Sequence, residues 1–200
     1  MDGRKAFVVE HLDPELEEWS ALEYLAIARE SRDAGCHFYL SSVSPDLKAP
    51  SGLKDCKGTV IEQRSVEEIF ASIKDRVCLL DPAANDELSP TDAEKFDVFL
   101  FGGILDRTSE LRKKGYIGRR LGPVQMTTDT AVRVTRIVVL EQTPLDKIKY
   151  VDHPEVKIDE HESTQMPFRY VVDSHGQPIL PEGMLEVIKK DSDRGIDDLL

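Results

Sequence analysis

The sequence predicts an α/β domain with a mostly parallel sheet flanked by helices, and three observations carry that prediction. Short apolar runs recur at residues 6–10, 37–40, 58–61, 77–80 and 97–101, and several are continuous rather than alternating, as strands covered on both faces require. Segments of helical periodicity lie between them, so strand and helix alternate. Glycine or proline punctuates the exits, at Gly35, Pro82, Gly102 and Gly122, where the backbone must turn.

Taken in order, residues 6–10 form the first strand, ended by His11-Leu12. Asp13-Pro14 reads as an N-cap followed by proline at the first helical position. Leu16, Trp19, Leu22, Leu25 and Ala26 then recur every three or four residues, the stripe of a crossover helix that Gly35 closes. Residues 37–40 are the next strand, and the Ser/Pro/Gly-bearing segment 41–57 reads as a long surface loop before a short strand at 58–61. Ser65-Val66-Glu67-Glu68 has the form of a capping box, with Ile69, Phe70 and Ile73 as the buried face of its helix. Residues 77–80 are apolar throughout and stop at Asp81-Pro82.

Residues 90–95 predict a short helix with Ser89 or Thr91 near its start, and 97–101 a strand that feeds Gly102-Gly103. Residues 108–114 predict a modest surface helix bounded by Gly115. From Asp129 onward, Ala131, Val134, Ile137, Val138 and Glu141 share one face of a helix that should pack on the sheet and that Pro144 terminates. Beyond it the pattern changes. Residues 148–151 and 168–172 read as isolated strands, 173–176 as a turn, 181–190 as a short helix and 191–200 as an acidic, mobile end. The expected division is a main domain over residues 1–146 and an extension over 147–200.

Composition narrows the function classes. Two hundred residues, 40% of them hydrophobic, suffice for one sizeable core. No apolar run approaches the roughly 20 residues that span a bilayer, and the amino terminus turns acidic too soon for a secretory signal, so a soluble, cytoplasmic protein with no membrane partner is expected. Cys36, Cys56 and Cys78 are odd in number and lack C-x-x-C spacing, which suits a reducing compartment; Cys78 sits in an apolar run as a buried, inert thiol. His153 and His161 lack the i, i+4 spacing of a helical metal site, and no metal is expected. With 26 Lys and Arg against 38 Asp and Glu, the net charge is −12. Direct nucleic-acid binding is disfavoured and a basic partner favoured, although acidity also serves solubility alone.

Residues 99–132 hold the strongest functional signal. Gly102-Gly103 lets the chain leave a buried strand sharply, and Gly122-Pro123 makes a second such exit. Thr127 or Thr128 then caps the helix beginning at Asp129, leaving amide groups that face the first loop. Two such loops favour a shared ligand, whereas Gly115 and Gly118 read as plain turns. A dinucleotide fold would need G-x-G-x-x-G after the first strand; Glu10-His11-Leu12-Asp13 stands there, and no Walker A sequence occurs.

Residues 77–82, 98–105 and 121–132 resemble, in order, the three strand-end motifs with which SPOUT methyltransferases bind S-adenosyl-L-methionine in a deep trefoil knot. More narrowly, Phe101-Gly102-Gly103-Ile104-Leu105 followed by Asp106-Arg107-Thr108, then Gly122-Pro123-Val124-Gln125-Met126-Thr127-Thr128-Asp129-Thr130-Ala131, closely resembles a small SPOUT family. That family includes a protein-arginine N-methyltransferase acting on a small-subunit ribosomal protein in the cytoplasm. The resemblance implies a knot around residues 77–143. It also implies a cofactor site made by Leu80, Phe101, Gly102, Gly103, Leu121, Gly122, Val124, Met126, Thr127 and Thr128, with S-adenosyl-L-homocysteine as product. In that family an acidic, proline-bearing stretch precedes Asp-Arg-Thr, whereas Leu105 abuts Asp106 here; a lost loop or residues omitted from the sequence would explain this, the second being favoured, with a lid suited to a cofactor site.

An arginine acceptor would be aligned by carboxylates through planar paired hydrogen bonds, and Asp81, Asp106 and Asp129 at the strand ends are the candidates. Arg107 would contact the methionyl carboxylate. Each has a plainer reading: Asp129 as a helix cap, Asp81 as a strand terminator, Asp106 and Arg107 as a surface pair. SPOUT enzymes are usually dimers, but the extension could cover that surface and leave a monomer. An RNA methyltransferase is the nearest alternative, opposed by the charge, and a non-catalytic module holding basic ribosomal segments is the other.

Overall fold

Six parallel strands form the central sheet of the structure, a computed structural model that describes residues 3–102, 105–158 and 163–197, with side chains except at 105–107 and 192–197. They are β1 (Ala6–Glu10), β2 (His37–Ser41), β3 (Thr59–Ile61), β4 (Val77–Leu80), β5 (Val98–Gly102) and β6 (Ile117–Arg119), in the order β3-β2-β1-β5-β4-β6. Neighbouring side chains along a strand point to opposite faces, and both faces are buried, which explains the unbroken apolar runs. Phe7, Val9, Phe38, Cys78 and Phe99 fill one face, under the helices α1 (Glu18–Asp33) and α6 (Thr128–Leu140). Ala6, Val8, Leu79 and Leu100 fill the other, with Val66, Phe70 and Leu111. β6 escaped the sequence reading because it is an edge strand with Ile117 as its one apolar residue.

The Ser65 capping box forms as expected, and it starts a one-turn helix, α3 (Val66–Ile69), after α2 (Ser51–Lys54). α4 (Asp92–Lys95) precedes β5, and α5 (Leu105–Lys113) follows it. Leu105 and Asp106 are consecutive at the start of α5, and residues 103–104 before them lie outside the described residues.

Four expectations need correction. α1 starts at Glu18 rather than beside Pro14, and its sheet-facing side is Tyr24, Ile27, Ala28 and Ser31. The stripe containing Trp19 and Leu22 instead packs under the carboxyl-terminal extension, against Met166, Tyr170, Met184 and Ile188; the helix is covered on two sides. Residues 41–57 are no surface loop, since Val43, Ala49, Leu53 and Cys56 are buried in the core. The strands β7 (Tyr150–Asp152) and β10 (Arg169–Val171) are not isolated but pair with each other antiparallel. Between them lies the hairpin β8 (Glu155–Lys157) and β9 (Ser163–Gln165), and α7 (Met184–Asp197) carries helix through most of the segment expected to be mobile.

On α6, Val134 and Val138 pack on the sheet as expected, but Glu141 is exposed and pairs with Arg136. All three cysteines are free and buried. Among the described residues no helix is long and apolar enough to cross a membrane.

The burial of Leu53, whose exposure is 0%, separates the two views of residues 41–57. Leu53→Ala should cost about 2–5 kcal/mol in urea unfolding, as core truncations do. A change within about 0.5 kcal/mol, typical of exposed loops, would restore the surface-loop reading.

Candidate active site at the carboxyl ends of the central strands

Parallel pairing puts the carboxyl ends of β1, β5, β4 and β6 on one edge of the sheet, where open α/β folds bind ligands. The register aligns Glu10 with Gly102, Leu80 with Phe101, and Leu80 with Arg119. The loops after Leu80, Gly102 and Arg120 therefore leave side by side, and three motifs distant in sequence meet. Leu80 and Phe101 are buried there. At Gly102 a Cβ would stand 2.7 Å from Thr108 Oγ1, so α5 approaches the strand end closely because residue 102 has no side chain. Gly122 has φ +93°, the left-handed region that glycine tolerates. Gly103 and the side chains of Asp106 and Arg107 lie outside the described residues.

The loop 121–127 is braced from the extension, which the sequence did not signal. Leu121 and Met126 pack against the core while Val124 is half-buried. The Arg169 N–H donates to the Gln125 carbonyl at 2.9 Å. The Arg169 guanidinium donates to both oxygens of Asp152, at 2.6 and 2.8 Å, and lies 4.8 Å from the centre of the Tyr150 ring. β10 is thereby tied to the loop and to β7.

At the start of α6, Thr127 is the N-cap residue by backbone position, but its side chain makes no cap. Its hydroxyl donates to Thr130 Oγ1 at 2.8 Å instead. The exposed first-turn amides are met from another element: Glu23 of α1 accepts hydrogen bonds from the Thr128 N–H and hydroxyl. Trp19 Nε1 donates to the same carboxylate at 2.8 Å.

Asp129 lies beside Glu23, 2% exposed. Its Oδ2 accepts from Arg133 Nη1 at 3.3 Å, and Arg133 spends its other donors on Glu30. Its Oδ1 makes no hydrogen bond of normal geometry, and the Tyr170 hydroxyl and His11 Nε2 are likewise buried without partners. Burial holds the Asp129 carboxyl above the usual range, against the opposing pull of Arg133. Burial, then the charge of Asp129, pushes Glu23 up to about 8.

The other acids are already engaged. Asp81 accepts from Arg112 Nε and Nη2, at 2.5 and 2.7 Å, and from the Ala83 N–H at 2.9 Å. Arg112 holds its carboxyl below the usual range, so it clamps α5 rather than presenting a free acceptor. Glu10 accepts from the Ser41 and Ser42 hydroxyls and the Val66 N–H, a satisfied buried latch. Of the carboxylates expected from the sequence whose side chains are described, Asp129 alone is buried with an unused oxygen. Glu23 was missed: its spacing of four residues from Trp19 put it on the apolar stripe, but only the fold places it against α6.

The raised Glu23 pKa has a signed consequence. The folded chain keeps a proton that the unfolded chain has released, so stability should fall as pH rises from about the ordinary 4.5 to about 8. Glu23→Gln should flatten that fall in urea unfolding across this window; an undiminished slope would show that Glu23 is not its source.

A family profile described as "Protein arginine N-methyltransferase SFM1-like" matches residues 6–195. Protein arginine N-methyltransferase SFM1 of Saccharomyces cerevisiae is 43% identical over 214 residues, spanning 97% of this chain and 99% of the yeast protein. A crystal structure of the yeast arginine methyltransferase SFM1 complexed with SAM has a TM-score of 0.83 at 41% identity, covering 95% of this chain and 92% of that one. Its complex with SAH gives 0.81 at 41% identity, over 92% and 94%. A Trm10 protein from Thermococcus kodakaraensis gives 0.53 at 17% identity, over 71% and 95% of the two chains, a likeness of fold. The architecture is that of the SPOUT methyltransferases.

Proposed function

From the premise that this chain belongs to the SFM1-like family of protein arginine N-methyltransferases, we propose that it transfers a methyl group from S-adenosyl-L-methionine to an arginine of a basic protein. The acceptor we propose is a small-subunit ribosomal protein in the cytoplasm. The observation that carries the reading is the relationship to the yeast enzyme over nearly the full length of both chains.

The strand-end residues suit the cofactor. Leu80, Phe101, Leu121, Val124 and Met126 offer apolar walls, and backbone groups at Gly102 and Gly122 come close because no Cβ intervenes, with Gly103 part of the same proposal from its place in the motif. Thr127 and Thr128 open α6 beside that loop. When bound, S-adenosyl-L-methionine supplies an electrophilic methyl on a sulfonium and leaves as S-adenosyl-L-homocysteine. Asp106 and Arg107 belong to this proposal as groups at the start of α5, Arg107 facing the methionyl carboxylate. The chain around residues 77–143 would thread as the trefoil knot that this family implies.

The chemistry left to the protein is alignment. A guanidinium stays protonated, its pKa being above about 12, until its nitrogen attacks, so buried carboxylates that fix its plane supply orientation and charge balance. With domain limits proposed at 1–146 and 147–200, Tyr170 belongs to the extension and feels the charge of Asp129 and Glu23. One chain then covers what a second subunit supplies elsewhere, and we propose a monomer. A net charge of −12 opposes an RNA acceptor.

Incubation with labelled S-adenosyl-L-methionine and unmethylated small ribosomal subunits should give label in one protein, removed by protease and kept after RNase. Label removed by RNase and kept after protease would overturn the proposal.

A further inference from the structure

We infer that Glu23, together with Asp129 and the Tyr170 hydroxyl, forms the subsite that holds the acceptor guanidinium, Glu23 being the carboxylate that orients the reacting nitrogen. This inference rests on the methyl transfer to arginine proposed above. Three elements remote in sequence bring these groups together: α1 carries Glu23, the first turn of α6 carries Asp129, and β10 carries Tyr170. α1 packs on α6, α6 packs on β10, and Tyr170 lies in one cluster with Trp19 of α1, so the three groups meet in one locality.

What the cluster lacks defines what it takes. Asp129 Oδ1 and Tyr170 Oη are buried polar atoms with no hydrogen bond of normal geometry, at residues 2% and 1% exposed, although the Thr127 hydroxyl and the Thr130 N–H also draw on the Asp129 carboxylate. Native proteins seldom leave such atoms unpaired, and a cluster of them marks a place for donors from outside the chain. Glu23 has no ion pair among the described residues, and Asp129 has only a share of Arg133, which also serves Glu30 alongside Arg136. A further cation is the group that balances them.

A planar guanidinium brings five N–H donors and no acceptor, whereas an ammonium is a compact point charge. Two carboxylates and a phenol oxygen supply acceptors only when the phenol proton turns toward a carboxylate, so the set suits arginine. Trp19 and Thr128 fix the plane of the Glu23 carboxylate, and each carboxylate oxygen keeps a lone pair for the substrate. Thr128 continues directly from the loop 121–127, so the oriented nitrogen would stand at the cofactor loop. Trp19, half-buried, forms the rim. In the transfer the nitrogen lone pair forms the N–C bond as the C–S bond breaks, and the sulfonium becomes a neutral thioether. Binding of the guanidinium cation drives Glu23 to release its own proton to solvent, and the methylated nitrogen then gives up one proton, which the ionised Glu23 takes and passes to solvent, leaving a methylated guanidinium with its single positive charge.

Glu23 also meets the Thr128 amide, and a role confined to helix capping would leave transfer unchanged in Glu23→Gln, which keeps an acceptor oxygen. The experiment compares wild type, Glu23→Gln and Tyr170→Phe by isothermal titration with S-adenosyl-L-methionine and by single-turnover transfer to unmethylated small ribosomal subunits. Glu23→Gln should bind the cofactor within about threefold of wild type and transfer methyl ~10²-fold more slowly. Tyr170→Phe, which removes one hydroxyl, should lose roughly tenfold in transfer and keeps the test open should Glu23→Gln fail to fold. Wild-type transfer matched within about threefold by both variants would sink the subsite and leave the methyltransferase reading standing. Loss of cofactor binding in Glu23→Gln would move Glu23 to the cofactor site and equally overturn the inference. Absence of transfer by wild type would overturn the proposed function itself.

Discussion

The parallel pairing of β1, β5 and β4 is the constraint on which the rest depends. Because all three strands run the same way, their carboxyl ends must share one edge, and the register that pairs Leu80 with Phe101 and Glu10 with Gly102 sets how far each loop reaches. Antiparallel pairing would have sent alternate loops to opposite ends of the sheet. Covering helices follow from the same constraint, since parallel strands need crossovers, and the crossovers bury both faces. That burial gives the edge a rigid floor, on which Gly102 lets α5 come within contact of the strand end.

The floor does not by itself hold the loop 121–127, which has few buried side chains of its own. The extension does that. Arg169 ties Gln125 through its amide and ties β7 through its guanidinium, so one residue fastens the loop to a small sheet. The same strand brings Tyr170 against the acids of α1 and α6. Trp19 and Leu22, on the outer side of α1, give the extension its apolar seat with Met166, Met184 and Ile188. Loop, helix and extension therefore form one mechanical unit.

Much of this was legible. Strands that are buried on both faces announce themselves as continuous apolar runs, and the Ser65 capping box is a local device that local sequence specifies. What escaped depends on distant contacts. The stripe through Trp19 and Leu22 was sound as a pattern, but periodicity does not say which element covers it, and here that element lies more than a hundred residues away. Residues 41–57 looked polar because Ser, Pro and Gly are scattered between Val43, Ala49 and Leu53, and only packing under the core separates those three from their neighbours. β7 and β10 looked isolated because their partners are each other, across a hairpin. At the site, glycines and threonines flagged the loops, while Glu23, although its spacing puts it on the apolar stripe, shows no role until the fold sets it against Asp129.

Acidity is where sequence and structure give different kinds of information. A net charge of −12 describes the whole surface and fits solubility as well as it fits a basic partner. Position decides between them. Asp81 and Glu10 are also buried acids at the same edge, yet Arg112 satisfies one and two serines with a backbone amide satisfy the other. Glu23 and Asp129 differ in being like-charged neighbours, with Arg133, the cation paired to Asp129, also drawn toward Glu30. A fold gains nothing in stability from such a pair, since burial and repulsion both oppose its ionisation. Unfavourable electrostatics retained at the mouth of a ligand-binding edge are the expected mark of a site whose missing charge arrives with its substrate.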